Sequence, residues 1–153
     1  MVALSPPAYD EHSVFQYERA EFERLIVHEM VHIFEEYLSP NIEESPLIWS
    51  EGLAVYLSEQ WRYEPDFNVN VKRTFESKSL PKLSKIVSGH ENAYHWGWTV
   101  VMAIEARYGR ELINHIVRNY SDGDIFSFVE DSFADFEHFW RGFCFGDLLA
   151  KLS

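Results

Sequence analysis

Three observations predict an α+β fold, mostly helical, in one domain over residues 1–153. The chain is long enough for one core and apolar enough to fill it, at 46 % hydrophobic and 16 % aromatic residues. Most apolar residues recur at spacings of three and four, the helical period. Two short stretches look extended instead: Val2–Leu4, stopped by Pro6-Pro7, and PDFNVNVKRTF at 65–75, where Phe67, Val69 and Val71 alternate.

The elements follow in order. Val2–Leu4 reads as an edge strand. A long helix is expected from about Tyr17 to Leu38, with Phe22, Ile26, Met30, Ile33 and Tyr37 as its buried arc. Ser39-Pro40-Asn41 ends it, and an acidic loop runs to Pro46. A second helix runs from about Ile48 to Arg62 and stops before Pro65. After the extended stretch, Leu83–Val87 makes one helical turn. A third long helix spans about Asn92 to Tyr108, with Gly109 suited to cap it. Glu111–Tyr120 is another helix. One or two more follow, with Phe126, Val129, Phe133, Phe136 and Phe139 as core candidates.

Charge and cysteine usage remove several function classes. The net charge of -12 opposes nucleic acid, whose phosphates need a basic surface, and opposes anionic lipid. It reads as a solubility device. The single cysteine, Cys144 in FCF, rules out a disulfide framework and a zinc ribbon and is expected in the core. The start, MVALSPPAYDEH, has neither the basic region nor the apolar run of a signal peptide, and no segment has bilayer-spanning length. The expected location is cytoplasmic, with no membrane and no nucleic-acid partner.

The chemistry sits in HEMVH, residues 28–32. Four helical residues return a side chain to within roughly 40° of its start, so His28 and His32 point the same way. Their imidazoles can meet one ion at about 2 Å. Glu29 lies about 60° from His32 on the helical wheel, at the edge of that face, where it can take a proton from a water without ligating. Two histidines leave a tetrahedral zinc one protein ligand short if water keeps the fourth position. LIWSEGLAVYL offers Glu51, with 18 residues between it and His32, an interval that fits a reversing loop and the start of a second, antiparallel helix. Gly52 leaves room beside the site, and Trp49, Leu53 and Tyr56 supply an apolar shell.

With these residues in place, the sequence resembles the gluzincins, zinc peptidases built on HExxH plus a glutamate. It is most similar to their aminopeptidase-N-like and peptidase MA-like branch. That branch carries HExxH, eighteen residues, then glutamate in a W-x-x-E-G-x-A-like setting; this chain carries HEMVH, eighteen residues, then WSEGLA. The branch's Y-x-x-G block is matched by Tyr94 and Gly97 in AYHWGWTVVMAIEARYG. The resemblance covers roughly residues 22–120. It implies a zincin-like metallopeptidase domain with a small or reduced N-terminal sheet, whose edge strand would hold extended substrate; Val2–Leu4 is the candidate remnant. It implies Zn2+ as cofactor, His28, His32 and Glu51 as ligands, Glu29 as general base, and Tyr94 as oxyanion donor, with His95 as the alternative donor.

The departures are specific. No G-x-M-E-N stretch precedes HEMVH, so exopeptidase activity is not implied. Some gluzincins orient a ligand histidine with an aspartate four residues after the glutamate; here that residue is Val55, and Glu36 is the substitute candidate. The expected function is zinc-dependent hydrolysis of peptide bonds in a peptide or protein substrate. The alternatives are an inactive zinc-binding domain that holds a protein partner, and a metal-free helical interaction module.

Overall fold

A computed structural model of the chain describes residues 18–39, 41, 45–89, 93–120 and 124–152. The described residues form helices joined by short turns and contain no strand, so the α+β expectation is corrected to an all-helical frame. Val2–Leu4 lies outside the described residues. The stretch 65–75 belongs to a helix, α4 (Pro65–Glu76). Its buried residues, Val71 and Phe75, continue from Phe67 at intervals of four. Val69 is exposed, so the apparent alternation includes a residue outside the core. Proline at the first position and Asp66 in the first turn suit a helix start.

Helix α1 (Arg19–Leu38) opens with the Glu21 carboxylate accepting from the Glu18 N–H at 3.1 Å. Next come α2 (Leu47–Leu57), a four-residue turn of helix α3 (Gln60–Tyr63), α4 and α5 (Leu83–Ser88). After α6 (Ala93–Tyr108), Gly109 at φ +85° turns the chain directly into α7 (Arg110–Asn119). A 3-10 turn at Ile125–Phe128 leads to α8 (Phe133–Phe143), whose Ser132 hydroxyl accepts from the Asp135 N–H. A π turn at Cys144–Leu148 and α9 (Leu149–Leu152) close the described chain. The helix expected from Ile48 to Arg62 is broken: α2 stops at Ser58, and Glu59 takes a left-handed φ of 60° before α3 begins.

The core is built around α6, in which every residue from Trp96 to Ile104 is buried. A helix apolar all round belongs in the middle. α2, α4, α5, α7 and α8 pack on it, and α1 packs on α2. The α2–α6 contact is unusually close, because Gly52 faces Gly97. A Cβ on Gly97 would lie 2.3 Å from the Ile48 carbonyl oxygen and 2.8 Å from Gly52 Cα. Of the later phenylalanines, Phe136 is fully buried and Phe133 is exposed; Val129 is buried, and Phe126 and Phe139 are half-buried against the core. Cys144 is a buried thiol whose ionisation is opposed by burial. No described helix is long and apolar enough to cross a membrane.

α1 reverses the expected orientation. Its buried residues are His28, Val31 and Glu35. Phe22 and Ile26 are half-buried, whereas Met30, Ile33 and Tyr37 are exposed, along with Val27, Phe34 and Leu38. The HEMVH histidines therefore face inward, against α2, and much of the apolar arc faces out.

Candidate metal centre

α1 lays His28 and His32 one turn apart on the side that meets the start of α2, where Glu51 stands. His28 Nε2 and His32 Nε2 are 3.2 Å apart; Glu51 Oε2 lies 3.3 Å from the first and 3.7 Å from the second. Corners of a tetrahedron with zinc–ligand bonds of about 2.0–2.2 Å are about 3.3–3.6 Å apart, so the three spacings suit three corners. Among the described residues these are the three His, Cys, Asp or Glu side chains that cluster in this way.

The proton positions suit a cation too. His28 Nδ1 meets the Gln60 amide oxygen at 2.7 Å, and His32 Nδ1 faces Glu35 Oε2 at 3.6 Å. With protons on both Nδ1 atoms, the two Nε2 lone pairs and the carboxylate of Glu51 converge. Glu51 Oε2 is buried without a hydrogen-bond partner, an arrangement costly unless a positive group fills it. Two imidazole nitrogens and a carboxylate oxygen are zinc's usual donor types, so the residues present fit the ion.

In the metal-free protein a proton substitutes in part. The carboxylate of Glu35, then that of Glu51, raises His32 to about 10, against the effect of burial. Burial alone would push the Glu51 carboxyl up, but the imidazoles of His28 and His32 beside it outweigh burial and bring it to about 2. Burial raises Glu35, with His32 acting the other way.

No family model, curated protein or solved structure matches this chain. The reading of the centre therefore rests on its own geometry and on the motif spacing.

Tyr94 stands on α6 one turn before Gly97, on the side where α6 meets α2. It is 46 % exposed, so it opens to solvent instead of lying in the core. Burial, then the Glu51 carboxylate, then Glu29 hold its hydroxyl above the ordinary tyrosine value. Glu29 is half-buried and outside the three-atom cluster. His95 is also outside that cluster, and its Nδ1 is buried without a hydrogen-bond partner. Glu36, the expected orienting group for a ligand histidine, is exposed; the carboxylate facing His32 is its neighbour Glu35, 2 % exposed. Position i+3 from His32 marks Glu35 in the sequence. Gln60 carries no such signal, because it reaches His28 from 32 residues away.

Proposed function

We propose that this chain is a zinc-dependent peptidase with a gluzincin-type site carried on an all-helical frame. The observation that carries the reading is the convergence of His28 Nε2, His32 Nε2 and Glu51 Oε2 at tetrahedral spacing. These three residues would hold the ion. Bound zinc supplies Lewis-acid polarisation of a carbonyl and an acidified water.

The chain's own groups account for the rest. Glu29 follows His28 directly and does not join the ligand cluster, so its carboxylate is available to accept the attacking water's proton and to return it to the leaving amine. The Tyr94 hydroxyl, kept protonated at neutral pH, can donate to the oxygen on which negative charge develops. Exposure of Tyr94 leaves the site open to a polypeptide.

A second reading is a zinc-holding domain that binds a protein partner without cleaving it. It is favoured by the apolar residues exposed along α1, Val27, Met30, Ile33, Phe34, Tyr37 and Leu38, since grouped exposed apolar side chains mark interaction surfaces. The test has two steps. Metal analysis of protein purified without added zinc should give one zinc per chain, lost in the His28→Ala/His32→Ala variant. Incubation with a mixed peptide library should then yield cleavage products that disappear with a chelator and return with zinc. Zinc without cleavage supports the second reading; a chain with no zinc refutes both.

A further inference from the structure

Gln60 sits just after the left-handed turn at Glu59, and its side chain is buried. Its amide oxygen faces His28 Nδ1 at 2.7 Å and accepts from the Ser58 hydroxyl at 3.1 Å. Its amide nitrogen donates to Glu64 Oε2 at 3.1 Å. The other Glu64 oxygen accepts from Arg24 Nε at 2.9 Å.

This network determines which way the amide points. A reversed Gln60 would set its oxygen against a carboxylate oxygen of Glu64, two acceptors with no proton between them. Glu64, anchored by Arg24, thus holds the Gln60 oxygen toward α1. An acceptor opposite Nδ1 requires Nδ1 to carry the proton, and a neutral imidazole protonated there keeps its lone pair on Nε2. That lone pair is the one aimed at His32 and Glu51.

We propose that Gln60 is a positioning residue of the metal site: backed by Glu64 and Arg24, it locks His28 in the Nδ1–H tautomer, so that Nε2 is ready to ligate before any ion arrives. The proposal rests on the metal-site reading above for its purpose. Its content comes from the hydrogen bonds around Gln60. The lock ties α1, the turn after α2 and the start of α4 together across 40 residues of chain, from Arg24 to Glu64. Partners of this kind on a ligating histidine are worth roughly 10–100-fold in metal affinity.

The first measurement is a long-range proton–nitrogen correlation spectrum of the metal-free protein. His28 should show a protonated Nδ1 and an unprotonated Nε2; the opposite tautomer overturns the proposal. The second is zinc affinity by chelator competition, with circular dichroism as the check on folding. Gln60→Met has similar length and no strong acceptor, and should weaken zinc binding by about 10–100-fold. The double variant Gln60→Glu/Glu64→Gln exchanges amide and carboxylate. It allows Glu at 60 to accept from His28, Ser58 and the new amide, while that amide's oxygen accepts from Arg24. It should bind zinc within about threefold of the parent, because carboxylates serve the same orienting role.

A folded Gln60→Met protein with parental affinity refutes the positioning role alone, and so does a swap variant as weak as Gln60→Met. A parent that binds no zinc refutes the metal reading and this role with it. Should Gln60→Met fail to fold, the parent's tautomer and the swap variant's affinity decide.

Discussion

Gly97→Ala acts on the metal centre from the far side of α2. The added Cβ would lie 2.3 Å from the Ile48 carbonyl oxygen, 2.8 Å from Gly52 Cα and 3.1 Å from Gly52 N. All three neighbours are backbone atoms, so no side chain can rotate away. A carbon–oxygen contact of about 3.3 Å is the comfortable limit, and α2 must therefore part from α6 by about 1 Å. Glu51 precedes Gly52 on α2 and moves with it, whereas His28 and His32 belong to α1. Metal sites tolerate only about 0.5 Å of ligand displacement, so zinc affinity should fall by tenfold or more. Overpacking costs about 1–3 kcal/mol, and in a chain of this size each kcal/mol lowers Tm by about 2–4 °C. Thermal melts of the metal-free protein and chelator competition read the two effects separately. Gly142→Ala is the control: its Cβ would meet nothing within 4 Å, and replacing a mid-helix glycine should stabilise by about 0.5–1 kcal/mol. A Gly97→Ala protein that melts within about 1 °C of the parent and binds zinc equally well refutes the close-contact argument.

Three further outcomes are expected. Glu29→Gln should retain zinc and lose nearly all turnover, since an amide cannot take the water's proton; loss of zinc in this variant would make Glu29 a structural residue instead. Tyr94→Phe should lower kcat by about a hundred- to a thousand-fold, with zinc content and Tm unchanged. Zinc binding should tighten as pH rises, by up to about tenfold per unit between about pH 6 and pH 8, because His32 must shed a proton held at about 10 before Nε2 can ligate. Calorimetry in buffers of different ionisation enthalpy should detect that proton. The same raised value gives the metal-free fold a stabilising contribution that is full below about pH 6.5 and lost as pH rises toward 10, so pH should act on apo stability and on zinc affinity in opposite directions.

The parts of the site legible in the sequence depend on local geometry. His28 and His32 are four apart, and the period of one helix is enough to put them on one face. Glu51 could be suggested because a helix, a loop and a helix start fill a known length. What was not legible depends on which way an element is turned. The arc containing Met30, Ile33 and Tyr37 looks like a core face, yet the residues buried on α1 include His28 and Glu35. Apolar character alone does not choose the inner face when polar partners such as Gln60 and Glu51 wait on the other side. Gln60 was hidden for a related reason: an apolar periodicity that continues to Arg62 gives no sign that Glu59 breaks the helix and swings the next residue inward. In 65–75 the alternation of Phe67, Val69 and Val71 points to a strand, while Phe67, Val71 and Phe75, four apart, carry the packing.

All five tryptophans, Trp49, Trp61, Trp96, Trp98 and Trp140, are buried, and this makes the protein its own optical instrument. Trp61 and Trp98 stack with centroids 5.4 Å apart, and Trp96 meets Trp140 edge to face at 6.2 Å. Indoles coupled at such distances share their excited states, so the near-ultraviolet dichroism reports the mutual angles of α3, α6 and α8 and not merely their presence. Emission starts from a water-shielded environment and shifts to the red when the core opens. Trp49 lies two residues before Glu51 on the same helix, so a displacement of α2 reaches the light signal and the metal ligand together.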